Sequence, residues 1–378
     1  MSVRLILSLT LLFCLTSPTL STATDPDPTP VAKRELNPAE TEHALQLLAE
    51  ELTKNLDAIH TWQGAYQFRD ESNFENPRST TGGRTWRTIQ GQYTFWLDEI
   101  QDRLRVNFNK TEKPNEFNQF GTPEPVKIDS PTNNQRIVIG TDLYELSEER
   151  FASVKGFPNH LLKQTRAGRV LFRKFRFESE DNSHFFDPRD LFGGEAYTSV
   201  RNPQIYLSVL RGEHGEELQQ KYDRQLSITE LQGEDGQKQY QFKLKYTPSN
   251  PDGIPRYKMT TYDSQAGWNV TRYEELLGSR VIHKRTILYK NVDGIYLPQE
   301  VDIAHFKQDR GRRADPYHRQ NFKLVESKLN QPLDTNLFEI KSLELKPGER
   351  IVDQIRGKAF VQYEDRLVPA SQFPLLIK

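Results

Sequence analysis

Apolar residues recur at steps of three and four after Asn37, and this spacing predicts one amphipathic helix. Asn37 is a favourable N-cap residue, Pro38 suits the first helical position, and Glu40 can complete a capping box. The helix is therefore predicted to begin at Pro38 and to end near His60. Its predicted buried stripe consists of Leu45, Leu48, Leu52, Leu56 and Ile59.

Beyond Trp62 the pattern changes to an alternation of apolar and polar residues, which is typical of strands with one buried face. The alternation is clearest in segments 62–68, 104–108, 240–246 and 320–324. Gly236 and Gly294 predict hairpin turns, because glycine tolerates the positive φ that such turns need. Strands are thus predicted over most of residues 62–353. Two short helices, at 202–210 and 216–226, are predicted to interrupt them.

These elements predict an α+β fold that is mainly antiparallel β, with one long curved sheet. Such a sheet has an apolar face that must be covered, and one helix cannot cover many strands. Other helices, loops, a second sheet or a ligand must fill the rest. This shortfall is the main reason, from the pattern alone, to expect a ligand cavity.

The N-terminal residues have the features of a signal peptide. Arg4 precedes an apolar run over residues 5–15, and small residues end at Ala23, after which we expect cleavage. The run is too short to span a bilayer, and no later apolar run is long enough. The sequence therefore predicts an exported protein, periplasmic or extracellular, without a transmembrane span. The predicted division is signal peptide 1–23, flexible Pro-rich linker 24–36, one domain 37–353, and an extra strand or tail 354–378.

Composition narrows the classes of function. Cys14, the single cysteine, lies in the predicted signal peptide, so the mature chain cannot use a thiol nucleophile or cysteine metal ligands. The chain has 51 Lys and Arg against 52 Asp and Glu, without the basic excess that a nucleic-acid partner favours.

Catalytic and metal-binding motifs are missing from the sequence. No two of the eight histidines have the spacing of metal ligands on one element, so they are predicted to be scattered over the surface, with no metal and no cofactor. Asp187-Pro188-Arg189-Asp190 is predicted to be a turn held by ion pairs. Gly-x-Ser-x-Gly and phosphate-loop patterns are not found. These observations favour a non-catalytic protein, although a pair of distant carboxylates for cleaving a polysaccharide stays open.

Two groups of aromatic residues are candidates for a wall that contacts lipid. The alternative interpretation is ordinary strand core, where aromatic residues are enriched. The first group is Trp86, Tyr93, Phe95 and Trp96, and the second is Phe172, Phe175, Phe177, Phe185 and Phe186.

The segment Trp62-Gln63-Gly64-Ala65-Tyr66, following the helix, resembles the opening of the periplasmic lipoprotein-carrier superfamily, the LolA/LolB-like proteins. Segments 263–272, 294–298 and 338–353 are similar to those of larger secreted members from planctomycete-type bacteria. The resemblance implies a strongly curved half-barrel, with the N-terminal helix and a few short helices covering its concave face.

The resemblance also implies an apolar cavity that holds a lipid, a lipoprotein acyl chain or another hydrophobic ligand. The partner would then be that ligand or a lipid-bearing protein. The strand pattern nominates five residues to face the cavity: Tyr66, Phe68, Leu104, Val106 and Phe108. Two alternatives remain at this point, an envelope protein-interaction or sensor domain on the same scaffold, and a secreted polysaccharide hydrolase.

Overall fold

The structure is a computed structural model, and it describes residues 32–75, 84–113, 132–147, 170–175, 186–193, 207, 211, 222–233, 236–248, 253–306, 316–364 and 366–372. These residues form one helix, α1 (Pro38–Asp57), seventeen strands and short 3-10 turns. The first nine strands are β1 (Ala32–Glu35), β2 (Thr61–Glu75), β3 (Arg84–Asp98), β4 (Arg103–Lys113), β5 (Thr132–Ile139), β6 (Asp142–Ser147), β7 (Val170–Phe175), β8 (Tyr222–Gln232) and β9 (Lys238–Pro248). The other eight are β10 (Arg256–Asp263), β11 (Asn269–Leu277), β12 (Arg280–Val292), β13 (Ile295–Phe306), β14 (Pro316–Leu329), β15 (Arg350–Asp353), β16 (Lys358–Tyr363) and β17 (Arg366–Pro369).

All seventeen strands belong to one curved, open sheet. Its spatial order is β1-β8-β9-β10-β11-β12-β13-β14-β2-β3-β4-β5-β6-β7-β15-β16-β17. Neighbouring strands are antiparallel except β7 and β15, which run parallel. The predicted fold class, mainly antiparallel β with a curved half-barrel sheet, is confirmed.

The helix α1 forms where the apolar spacing predicted it. Asn37 Oδ1 accepts a hydrogen bond from Glu40 N at 3.0 Å, and Asn37 N donates to Glu40 Oε2 at 3.0 Å, so the capping box is complete. All five residues of the predicted stripe are buried. The N-terminal end of α1 adjoins β8, where Leu36 N donates to Ile228 O. Its C-terminal end adjoins β13, where Asn55 exchanges hydrogen bonds with the backbone of Tyr296.

Each face of the sheet carries its own apolar cluster. We call the face that α1 covers the concave face; its large cluster includes Leu48, Trp62, Phe95 and Leu297. On the opposite, convex face, the segment after β14 packs a smaller cluster against β3 to β7. That convex cluster consists of Ile137, Leu146, Leu171, Phe338, Leu343 and Ile351, with Trp96 and Tyr144 at its border.

Several sequence predictions differ from the structure or lie outside it. The predicted helix at 216–226 is wrong in its second half, because Tyr222–Gln232 pairs with β9 as a strand. Ala32–Glu35, within the predicted flexible linker, forms β1 and pairs with β8. The predicted signal peptide with its cleavage site at Ala23 lies outside the described residues, as does most of the predicted helix at 202–210. The domain boundaries stay predictions.

Candidate functional site

The five residues nominated by the sequence lie together on the concave face. Tyr66 and Phe68 come from β2, and Leu104, Val106 and Phe108 come from β4, with β3 between them. The first four are buried and Phe108 is partly buried against the same cluster. Their shared face follows from the two-residue period of strands, which puts alternate side chains on one side of the sheet. A role in binding a ligand stays a prediction.

Phe68, Tyr93, Phe108, Phe186 and Phe322 form a continuous set of ring contacts, which we call the aromatic wall. Tyr93 stacks on Phe108 with ring centroids 4.4 Å apart, and on Phe186 with centroids 4.2 Å apart. Phe68 lies 4.7 Å from Tyr93 and 5.1 Å from Phe108, again between centroids. Burial raises the pKa of Tyr93 above its ordinary value, so its hydroxyl stays protonated. The wall therefore consists of flat, uncharged rings, of which Phe108 is the one that is only partly buried.

The short segment Phe186–Gly193 crosses the concave face and contributes Phe186 to the aromatic wall. Its centre is a 3-10 turn, Pro188–Phe192, capped by the side chain of Asp187. Phe192 packs on Trp62, and Tyr289 Oη donates to Phe192 O at 3.1 Å. At Gly193, where φ is +97°, an added Cβ would lie 2.6 Å from Ile287, so glycine is required there on two counts. The segment is thus fixed over the sheet.

A buried ion cluster holds the middle of this segment. Arg189 Nη2 lies 2.6 Å from Asp187 Oδ2, and its Nη1 lies 3.2 Å from Glu99 Oε2 in the turn between β3 and β4. Burial alone would lower the pKa of Arg189, but the charges of Asp187 and Glu99 raise it above its ordinary value. The sequence prediction of a turn held by ion pairs is confirmed. Neither the burial of this turn nor its pairing with Glu99 could be predicted from the sequence.

Beyond the aromatic wall the concave face becomes polar. Two residues past Phe68 on β2 is Asp70, and its Oδ2 accepts from Gln320 Nε2 at 2.9 Å and lies 3.0 Å from His318 Nε2. His318 is paired in register with His305 on β13, and His305 with His283 on β12. The face therefore runs from apolar rings to a band of hydrogen-bonding and titratable side chains.

The three paired histidines were missed by the sequence analysis, which predicted scattered surface positions. His283, His305 and His318 span 35 positions of the sequence and lie on three different strands. Only the strand register brings them side by side, and register depends on long-range pairing. None of the segments in which alternation was predicted contains any of the three histidines, so the sequence pattern held no sign of their pairing.

The opposite face of the same strands carries a polar groove of about 480 Å³. Its side chains alternate along the strands with those of the wall and so lie on the convex face. The polar residues that line it are Gln67, Arg69, Gln90, Gln92, Asn109, Asn321 and Lys323. This lining does not suit an apolar ligand.

In the part of the chain that the structure describes, no three or more His, Cys, Asp or Glu side chains are grouped to hold a metal ion. The stacked imidazoles fit this result, because rings that lie face to face do not direct their nitrogens at one point. Among the same residues, no helix combines the length and the apolar character needed to cross a membrane.

Comparison with known proteins gives distant likenesses only. No protein-family model and no curated protein sequence matches the chain. A DUF1329 family protein from Desulfovibrio piger ATCC 29098 is similar in structure at 10% identity and a TM-score of 0.36, covering 80% of this chain and 98% of that one. A candidate outer membrane lipoprotein-sorting protein domain from Vibrio parahaemolyticus is similar at 12% identity and a TM-score of 0.33, covering 79% of this chain and 97% of that one. Both likenesses are too distant to carry a family or a function over to this chain.

Proposed function

We propose that this chain is an exported, non-catalytic protein that binds the apolar part of a lipid, of a lipoprotein acyl chain or of another hydrophobic ligand along its concave face. The observation that carries the proposal is the aromatic wall, in which Phe68, Tyr93, Phe108 and Phe322 present neighbouring rings on one face of a curved sheet. Ligand sites of this kind are concave and mostly apolar, with a few polar groups that fix orientation.

Burial of an acyl chain would supply enough free energy for such a role. Each methylene removed from water contributes about 0.8 kcal/mol, so a chain of about 16 carbons gives on the order of 12 kcal/mol before the costs of ordering. Alkyl chains pack against ring faces by dispersion and by loss of hydrated surface. In the proposed mode the tail meets the wall at Phe108, the ring that is only partly buried, and the polar band beyond Phe322 meets the headgroup end.

The test combines analysis of bound lipid with a wall variant. Protein purified without detergent is analysed by mass spectrometry for co-purified lipid, and its affinity for a fluorescent alkyl probe is then measured. Phe108→Ala removes ring surface from the wall at a partly buried position. We expect a loss of affinity of about tenfold, the effect of roughly 1.4 kcal/mol of lost apolar contact.

Leu288→Ala is the matched control, because Leu288 is a large apolar residue that is 59% exposed on β12, away from the wall. Its affinity for the probe should equal that of the unmodified protein. Absence of both co-purified lipid and probe binding would refute the proposal. Equal losses in the two variants would place the binding site elsewhere.

A further inference from the structure

Three histidine rings form a stack across three adjacent strands on the concave face. The centroids of His283 and His305 are 4.6 Å apart with ring planes 5° from parallel, and those of His305 and His318 are 5.3 Å apart at 16°. The strand register pairs His283 with His305 and His305 with His318, so the stack is built into the sheet. We call these three residues the histidine row.

The histidine row lies at the polar end of the aromatic wall. On β14, His318 is four residues from Phe322, and Gln320 lies between them on the same face. On β13, His305 is nine residues from Tyr296, a distance of about 30 Å along a strand. Tyr296 is the residue that binds the C-terminal end of α1. An amphiphile whose tail lies on the wall would therefore place its headgroup at the row.

Charged and titratable groups from the neighbouring elements surround the row. From β11, Glu275 forms an ion pair with Arg256 of β10, and the ring of Tyr273 meets that of His283 at 5.5 Å. On β2, Asp70 contacts His318, as described above. The guanidinium of Arg285, on β12, donates to the backbone oxygen of Asp190 at 3.0 Å. Tyr317, next to His318 on β14, lies with its ring centroid 6.3 Å from that of His305.

We propose that the histidine row, together with Arg285, binds the anionic headgroup, a carboxylate or a phosphate, of the amphiphile whose tail lies on the aromatic wall. The inference rests on the proposed function, since it assigns the polar end of the same site. Imidazole nitrogens and a guanidinium are donors that suit anionic oxygens, and a protonated imidazole adds charge to its hydrogen bond.

The arrangement makes binding depend on pH. In the free protein, burial and then the charges of His283 and His318 lower the pKa of His305 from 6.5 to about 4. An anion beside the row stabilises the protonated ring of His305, so the pKa of His305 is higher in the complex than in the free protein. The complex therefore takes up protons, and affinity for the anion rises as the pH falls toward the pKa of the free protein.

The experiment compares three amphiphiles with the same dodecyl tail: dodecanoate, dodecyl phosphate and neutral dodecyl maltoside. Calorimetric titrations at about pH 8 and about pH 6 should show affinity for the anions rising about tenfold, because a bound anion that raises the pKa of His305 from about 4 to about 7 gives this change over that range. Affinity for the maltoside should not change. The two anions separate a carboxylate site from a phosphate site. Titration in two buffers of different ionisation enthalpy measures the proton uptake directly.

The decisive variant replaces all three rings, His283→Gln, His305→Gln and His318→Gln, and its fold is checked by circular dichroism. It should bind the maltoside as before and lose the pH dependence and the proton uptake. His43→Gln is the control, because His43 is exposed on α1. Should the triple variant not fold, His305→Gln replaces the central ring alone, and the proton uptake should be lost with it.

The outcomes separate the two proposals. Anion binding that is equal at both pH values, or that survives unchanged in the folded histidine variant, overturns the proposed headgroup site. In that case, binding of the maltoside still supports the proposed function. Failure of all three amphiphiles to bind refutes the proposed function itself.

Discussion

Arg189 shows how a single side chain can hold a segment over the concave face. Its side chain is 6% exposed, and those of Asp187 and Glu99 are 2% and 8% exposed. Three charges are therefore removed from water together, and each depends on the others for compensation. Because Glu99 belongs to the turn between β3 and β4, the cluster links the segment that carries Phe186 to the sheet.

Replacing Arg189 by Met should destabilise the protein strongly. The methionine keeps most of the volume but leaves the carboxylates of Asp187 and Glu99 buried without their cation, which costs about 3 to 5 kcal/mol. Urea denaturation followed by circular dichroism measures the change in the free energy of unfolding. Arg34→Met is the control, since the side chain of Arg34 is 55% exposed and an exposed ion pair of this kind contributes little. Equal stability of the two variants would contradict the argument.

The interactions of Arg189 could be predicted from the sequence only in part. The ion pair between Asp187 and Arg189 could be predicted because the two residues are two positions apart and Pro188 favours a turn. The pairing with Glu99 could not be predicted, because it joins residues 90 positions apart and depends on how the segment lies across the sheet. The histidine row was missed for the same reason.

At the scale of elements, the junction between α1 and β2 is closed by Asn330, at the end of β14. Its Oδ1 accepts hydrogen bonds from His60 N at 2.8 Å and Thr61 N at 3.3 Å, and its Nδ2 donates to Ala58 O at 2.8 Å. Its backbone has φ of +53°, a conformation that asparagine tolerates better than most residues. The side chain of Asn330 thus connects the end of α1, the start of β2 and the end of β14.

Two substitutions separate the side-chain and backbone contributions of Asn330. Asn330→Gly loses the three hydrogen bonds but accepts the positive φ, so we expect a loss of about 1 kcal/mol. Asn330→Ala loses the same bonds and is also strained, so we expect a loss of about 2 kcal/mol. Thermal and urea denaturation measure both. A larger loss for the glycine variant than for the alanine variant would show that the backbone conformation is not the source of the difference.

The elements themselves were predictable to the extent that their signals are local. The capping box and stripe of α1 depend on residues within four positions of each other, and the alternation in β2, β4, β9 and β14 depends on immediate neighbours. The error at 216–226 came from a short charged segment whose spacing fits a helix. In the structure Leu226 and Ile228 follow a two-residue period, and pairing with β9 selects the strand.

At the scale of the whole molecule, the sheet is open, yet both of its faces are covered in places. The concave face packs against α1 and the segment Phe186–Gly193, and the convex face packs against the chain after β14. The strand β2, the first after α1, lies between β3 and β14, so an early strand and a late strand of the chain meet in the middle of the sheet. This order could not be derived from the sequence, since the alternation shows which residues share a face but not which strands are neighbours.

The convex cluster is joined to the concave cluster through shared strands. Arg105, on β4 between Leu104 and Val106, donates from Nη1 to Leu337 O at 2.9 Å and to Ser342 Oγ. Phe338 lies in the convex cluster, 2% exposed, with the guanidinium of Arg103 4.7 Å from its ring centroid. Because β4 carries Leu104 and Val106 on the concave face and Arg103 and Arg105 on the convex face, loosening one cluster should weaken the other.

Phe338→Ala tests whether the two clusters unfold together. Loss of a buried ring leaves a cavity and should cost about 3 to 5 kcal/mol, whereas Ile340→Ala, at a position 38% exposed on the same segment, should cost far less. If the sheet is one cooperative unit, Phe338→Ala also lowers the hydrogen-exchange protection of the amides of α1 on the opposite face, and circular dichroism and tryptophan fluorescence give one coincident transition. Should α1 keep its full protection while the tryptophan fluorescence changes in an earlier, separate transition, the convex cluster is an independent unit. It can then detach while the concave face keeps its aromatic wall.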